Sequence, residues 1–383
     1  MKVLILTDGI YPFVLGGMQR HSSFLVKYLL EQNIEVMLFH VVFDASKLPE
    51  SPEVLSSLGV NKEYNDNFHS KCFLWPKGSA FPGHYLKEST IYSKLLYSEF
   101  KASVFKPDAI VSKGFCGLSF VNKQEFKNIP IFSNIHGYEM YQHDINFKGF
   151  IRNRMLRMLS NKIISKSDYV ISYGGGITRL LERVGIQKDR IVENPSGIEK
   201  HWLRHNTITT NAGVNILYLG RYERRKGIEE INEAIKEPIP GLNFYFIGPI
   251  PESRKIHNRS DIHYLGTIMD GATLKDQLDT MDVLLCPSYS EGMPNVIMEA
   301  MSRGLAIITT KVGAIELLVD DQNGWIIKVG SSAAIKNTLI QVAQLSSQSL
   351  LQKREHSIVK INSFVWPKPA IQLLRKIEEK LSQ

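Results

Sequence analysis

Glu291 and Glu299 lie eight positions apart in SEGMPNVIMEAM, residues 290–301, with Gly292, Pro294 and Asn295 between them. A helix that opens near Asn295 points its first N–H groups and the positive end of its dipole at whatever precedes it, an arrangement that favours a phosphate. Glu299 shares a helix face with Asn295, and helical side chains lean back toward the N-terminus, so its carboxylate would stand beside that phosphate. The two anions repel unless hydroxyls donate to the carboxylate, and a ribose diol offers such donors. Glu291, in the turn, would face the opposite side of a diphosphate, where a sugar presents further hydroxyls. The backbone that does the holding is Gly292, Met293, Pro294, Asn295 and Val296. The bland alternative is two surface glutamates flanking a turn.

Three more stretches place polar or glycine residues where a strand gives way to a helix. In LGRYERRKGIEE, Arg221 offers a two-pronged guanidinium and Lys226 a point charge, and together they could hold a diphosphate without a metal; Arg224 and Arg225 crowd the same loop. In YPFVLGGMQRH, Gly16 and Gly17 let the backbone approach a ligand closely, or simply turn the chain. In FSNIHGYEMYQHD, His136 ends a strand and precedes Gly137, where an imidazole can reach a ligand; a core or surface histidine is the competing reading. His136, Glu139, His143 and Asp144 form no H-E-x-x-H pattern, and Gly174, Gly175 and Gly176 lack the G-x-G-x-x-G spacing, so neither suggests a metal or a dinucleotide.

The elements that must carry these loops are legible as an alternation. Short apolar runs at VLILT, EVMLFHVVF, AIVSKG, IPIFSNI and YVISYG in the first half, and at NILYLG, NFYFIG, IHYLG, VLLCPS and LAIITT in the second, read as strands separated by amphipathic stretches. One such stretch is MQRHSSFLVKYLLEQN, where Phe24, Leu25, Tyr28 and Leu29 recur at helical spacing. Strand and helix in alternation predict parallel sheets covered on both faces, and two series predict an α/β chain of two Rossmann-like domains with a cleft between them. The 383 residues suit two cores. The polar stretch VENPSGIEKHWLRHNTITTNAG marks the boundary: a first domain over 1–192, a second over 193–365, and a last helical segment over 366–383 that opens with Pro367 and Pro369.

Bulk properties restrict the partners. The net charge is +8, and residues 1–190 carry 24 Lys+Arg against 17 Asp+Glu while the remainder is nearly balanced, so the first half is the basic one. Cys72, Cys116 and Cys286 show no pairing motif, which argues against a disulfide framework or zinc site and for a reducing compartment. The opening MKVLILTDGIYP is too short for a signal core or membrane span, and no stretch reaches about 18 unbroken apolar residues. The expectation is a cytoplasmic protein, soluble or peripheral on the inner face of the membrane. FKGFIRNRMLRMLSNKIISK, residues 147–166, has six basic residues and no acid. Its Ile151, Met155, Met158 and Leu159 can form an apolar face, which would suit an anionic membrane surface or equally a solvated helix packed on the first domain.

SEGMPNVIMEAM resembles the E-x7-E signature of retaining glycosyltransferases of family four, which have the GT-B fold. The similarity extends to Gly16-Gly17, to His136 at a strand end, to NPSGIE at 194–199 in place of N-G-I-D, and to Arg221 and Lys226 in G-R-x4-K-G. The resemblance implies that Arg221 and Lys226 bind the donor diphosphate, Glu299 the ribose and Glu291 the transferred sugar. It sets His136 near that sugar and Gly17 at the phosphate end, and it has the final helix cross back to the first domain. Glu291, His136, Arg221 and Lys226 are then the catalytic set. Two departures stand out: Pro195-Ser196 interrupts the first motif, and Glu223-Arg224-Arg225 replaces the commoner S-P-E. The function implied is transfer of a hexose or N-acetylhexosamine from a UDP-sugar, or a GDP-sugar, to a hydroxyl of a glycan or lipid-linked saccharide, with retention. The donor would sit on the second domain and the acceptor on the first, in cell-surface polysaccharide synthesis. Neither cofactor nor metal is expected, since Asp320-Asp321 precedes Gln322-Asn323-Gly324 and reads as a turn rather than a cation site. The rivals are a nucleotide-sugar epimerase of the same fold and a nucleic-acid-binding protein, for which no aromatic-basic platform is visible.

Overall fold

The computed structural model describes residues 1–78, 83–122, 128–208 and 213–382. Residues 209–212, inside the polar stretch read as the domain boundary, and Gln383, in the last segment, lie outside the described residues. The chain forms two compact units, one of Met1–Tyr141, Asn146–Ser196 and Trp366–Gln383, the other of Gln142–Ile145 and Gly197–Val365.

The first unit is built on seven strands: β1 (Lys2–Leu6), β2 (Glu35–Val42), β3 (Phe68–Leu74), β4 (Ala109–Lys113), β5 (Ile131–Asn134), β6 (Tyr169–Ser172) and β7 (Ile191–Glu193). Their order is β3-β2-β1-β4-β5-β6-β7, every neighbour parallel. The second unit has six: β8 (Val214–Leu219), β9 (Leu242–Ile247), β10 (Ile262–Gly266), β11 (Val283–Cys286), β12 (Ala306–Thr310) and β13 (Gly324–Ile327). These run β10-β9-β8-β11-β12-β13, again all parallel.

Both sheets therefore double back at one place, between β1 and β4 in the first and between β8 and β11 in the second. Connections leave such a switch point in opposite directions, so the loops beyond the strand ends part and leave room for a ligand. The central strands are apolar throughout because helices cover both faces: β4 and β12 are buried at every position.

The sequence reading found five strands in each half and missed β3, β7 and β13. All three are edge strands. β3, FHSKCFL, is only half covered and mixes Ser70 and Lys71 into its run, while β7 and β13 span three and four residues. A strand covered on one side needs no continuous apolar run, so none marks these three.

In the first unit the helix Gly17–Leu30 seats Leu25, Val26 and Leu29 against Val3, Ile5 and Val36 of the sheet. The helix Lys368–Leu381 adds Leu373 and Ile377 to the same core, and Trp366 stacks on Tyr28 with ring centroids 5.4 Å apart. The opposite face is closed by Tyr92, Leu96 and Phe100 of the helix His84–Ala102. In the second unit Ile228, Ile231, Ile335 and Leu339 cover Ile216, Phe244, Leu285 and Ile308.

His40 of β2 is fully buried in the first unit with neither ring nitrogen hydrogen-bonded, and burial pushes its pKa down to about 4. The unfolded chain binds a proton near pH 6.5 that the folded chain refuses until about pH 4, so stability falls as the pH drops through that window. His40→Leu should abolish that loss. Urea unfolding at pH 7 and pH 4.5 should show wild type losing about 2 to 3 kcal/mol more than the variant over the interval; equal losses would mean that His40 takes up its proton in the folded state.

Candidate active site

At the switch point of the second unit, the loop after β8 meets the loop after β11. The first carries Arg221, Glu223, Arg224, Arg225 and Lys226 before Gly227 opens the helix Ile228–Ala234. Gly227 has φ +72°, and a Cβ there would stand 2.3 Å from the carbonyl oxygen of Pro287, so only glycine lets the two loops touch. The Tyr289 N–H donates to the Arg225 carbonyl at 2.8 Å and fixes their register.

Across that junction Lys226 Nζ donates to Glu291 Oε1 at 2.7 Å, and Ser288 Oγ donates to the same oxygen at 2.7 Å. Glu291 is 6% exposed. Burial alone would raise its pKa, but the charges of Lys226 and Arg225 and the hydrogen bonds from Lys226 and Ser288 outweigh it and hold the carboxyl below its ordinary value. Thr310 Oγ1 in turn donates to the Ser288 carbonyl. Gln142, of the short segment grouped with this unit, brackets the Glu291 peptide, its Nε2 donating to the carbonyl at 2.6 Å and its Oε1 accepting from the N–H at 3.2 Å.

Gly313, with φ +59°, packs directly on this turn. A Cβ there would lie 2.2 Å from the Glu291 oxygen and 2.5 Å from that of Gly292, and the next residue, Ala314, donates its N–H to Gly292 at 2.8 Å. Gly292, Met293 and Pro294 are buried beneath this contact, and the helix Asn295–Ser302 begins immediately after, as its sequence predicts. No side chain caps that helix start, whereas Asp270, Ser331 and Ser346 cap theirs elsewhere in the unit. Glu299 lies one turn in, 5% exposed, on the face of Asn295; Asn295 and Val296 are half-buried.

The remaining cations each meet a carboxylate. Arg221, its side chain 71% exposed, contacts Glu223 at 2.7 Å, and Arg225 contacts the same carboxylate at 2.9 Å. Arg224 grips Glu230 with two bonds of 2.8 and 2.6 Å and lies over the Tyr289 ring, whose hydroxyl also donates to Glu230. Glu223, the departure noted in the motif, thus supplies the counter-charge for both Arg221 and Arg225.

The first-unit candidates cluster separately, at the strand ends of their own sheet. Gly16 and Gly17 are exposed at the start of the helix Gly17–Leu30, where Gln19 reaches Asp8 at 3.0 Å. His136 follows β5 with φ +61°, and its Nδ1 lies 2.6 Å from the Tyr173 hydroxyl. Lys113 Nζ lies 3.1 Å from His21 Nδ1; both are buried, and burial pushes Lys113 down to about 7 and Asp8 up to about 6. Ser288, Gln142, Gly313 and Tyr173 escaped the sequence reading. Only Gly313, in KVGAI after a strand, carries a signal that pattern alone could have used.

Residues 213–344 match the family model for glycosyl transferases group 1. A Bacillus subtilis protein, TuaC, whose name provisionally assigns it as a glycosyltransferase of teichuronic acid biosynthesis, is 25% identical over 66% of this chain. That match spans 62% of the relative, less than two thirds of its length. Among solved structures, sucrose-phosphate synthase from Thermosynechococcus elongatus superposes with a TM-score of 0.81 at 15% identity, over 100% of this chain and 99% of its own. Anabaena HepE, solved with UDP and glucose, gives 0.67 at 15% identity, over 100% and 99%. The family match lies within the second unit, and the fold of the chain is GT-B. No helix among the described residues is long and apolar enough to cross a membrane.

The two ion pairs of the basic loop differ in burial and so in worth. Lys226→Ala strands the buried Glu291 carboxylate with only its Ser288 hydrogen bond and should cost about 3 kcal/mol of stability. Arg221→Ala removes an exposed pair and should cost less than about 1 kcal/mol. Chemical denaturation of both variants is the check, and equal costs would refute the buried pairing.

Proposed function

We propose that the chain moves a hexose or N-acetylhexosamine from a nucleoside diphosphate sugar, a UDP-sugar foremost, to a hydroxyl of a glycan or lipid-linked acceptor, with retained anomeric configuration. The observation that carries this reading is the pairing of Lys226 with Glu291 beside the uncapped start of the Asn295 helix, with Glu299 one turn inside it. An ammonium has three protons and gives one to Glu291, leaving it suited to bridge carboxylate and diphosphate. Glu291, kept ionised, accepts from hydroxyls of the transferred sugar; Glu299 accepts from the ribose diol. Arg221 is well exposed and can exchange Glu223 for a phosphate oxygen. HepE, of the same fold, was solved with UDP and with UDP-glucose, and this supports a uridine donor. Relatives named for polysaccharide synthesis support a glycan acceptor.

The leaving diphosphate gathers negative charge. Lys226 and the N–H groups after Pro294 are fixed before reaction and, with Arg221 swinging from Glu223, can meet that charge, so we infer a reaction that needs no divalent cation. A thermal-shift panel of UDP, GDP and ADP should single out UDP, a ligand at a hundred times its Kd adding about 2.7 kcal/mol. Glu299→Gln should weaken that response. Turnover of the UDP-sugar should survive excess EDTA, while Lys226→Ala, assayed well below its melting temperature, should lose on the order of 100- to 1000-fold. Activity abolished by EDTA and restored by manganese, with Lys226→Ala near wild type, would overturn the assignment.

The helix Phe147–Lys166 supports a membrane-presented acceptor. Phe147, Ile151 and Met158 are exposed at 77, 46 and 73% among exposed Lys148, Arg152 and Arg154, while the buried side of the helix is Asn153, Ser160, Ile163 and Ile164. Apolar groups left outward beside cations suit an anionic bilayer surface, each cation adding about 1 kcal/mol. The protein should sediment with anionic but not neutral liposomes and release with salt; Met158→Glu should weaken that binding. Equal sedimentation with both would remove the membrane from this reading.

A further inference from the structure

His136 stands in the left-handed region, φ +61°, and Tyr138 two residues on has φ +50°. Two such residues around one glycine are a costly backbone that persists only where the surroundings enforce it. The surroundings are specific. The His136 N–H donates to Asn134 Oδ1 at 2.8 Å, and because an N–H can only donate, this fixes which end of the Asn134 amide is oxygen. The amide nitrogen is thereby turned toward the Ile171 carbonyl, to which it donates at 3.4 Å.

Tyr173 is 1% exposed and burial keeps it protonated, so its own O–H must find an acceptor; among the described residues that acceptor is His136 Nδ1, 2.6 Å away. The reverse orientation, with Nδ1–H donating to the phenol, would leave a buried O–H without an acceptor, which is costly. The order of donation runs from phenol to imidazole, and the ring proton is left on Nε2.

We propose that Tyr173 is a positioning residue that holds His136 as its Nε2–H tautomer, with Asn134 fixing the His136 backbone, so that the imidazole meets the sugar as a hydrogen-bond donor and not as a base. This rests on the reading that His136 serves the transferred sugar. The His21 ring lies 5.8 Å from Tyr173 and 6.4 Å from His136, and Lys113 Nζ is 3.1 Å from His21 Nδ1.

The test is nitrogen NMR of the full chain labelled at histidine, with His136→Ala to identify the signal. Wild type should show an unprotonated Nδ1 and a protonated Nε2. In Tyr173→Phe the two should move toward averaged values, and turnover should fall about tenfold, as expected for one lost hydrogen bond, with the donor KM nearly unchanged. A protonated Nδ1 in wild type, or an unaltered spectrum in Tyr173→Phe, would overturn the proposal. Absence of glycosyl transfer by any variant would instead defeat the functional reading, since the tautomer is read without substrate.

Discussion

A carboxylate buried at the end of a parallel sheet stays ionised only if something opposes its desolvation, and at Glu291 that opposition organises the site. The ammonium of Lys226 supplies the largest compensation, and it can arrive only because Gly227 lets the loop after β8 rest on Pro287. Ser288 gives a second donor, and Ser288 is itself positioned by Thr310 from the neighbouring strand. Gly313 presses on the Glu291 and Gly292 carbonyls from beneath. Three loops from three strands therefore converge on one charge, and each contact has a steric or electrostatic reason that can be traced to a side chain or to the lack of one.

This explains which parts of the site were legible in the sequence. The spacing of Glu291 and Glu299 around Pro294 announced a turn and a helix start because local backbone rules act within a few residues. The Lys226–Glu291 pair spans 65 positions, and nothing local in either segment specifies the other. Read separately, the lysine looked like a phosphate ligand and the glutamate like a sugar ligand; the structure makes them one unit. Arg221, read as a grip on phosphate, meets Glu223 two residues on in the structure. The strands followed the same logic. Central strands are apolar end to end and were readable, while β3, β7 and β13 at the edges carry half the signal in few residues.

The first unit solves a different electrostatic problem. At its strand ends burial does not stabilise charge but suppresses it: Asp8 is pushed up to about 6 and Lys113 down to about 7. His21, between Lys113 and the His136–Tyr173 pair, is held neutral first by burial and then by the lysine. A cluster in which burial suppresses charge is ordered by hydrogen-bond direction more than by attraction between full charges. Its members come from β1, the first helix, β4, β5 and β6, which is why no short motif recorded it.

The contrast sets the two strand-end clusters apart. In the second unit the cations of one loop are oriented by carboxylates, Arg221 and Arg225 by Glu223 and Lys226 by Glu291. In the first, burial suppresses full charges and hydrogen-bond direction orders the cluster instead. The net basicity of the first half then lies with surface residues such as those of the helix Phe147–Lys166 and not with its strand-end cluster.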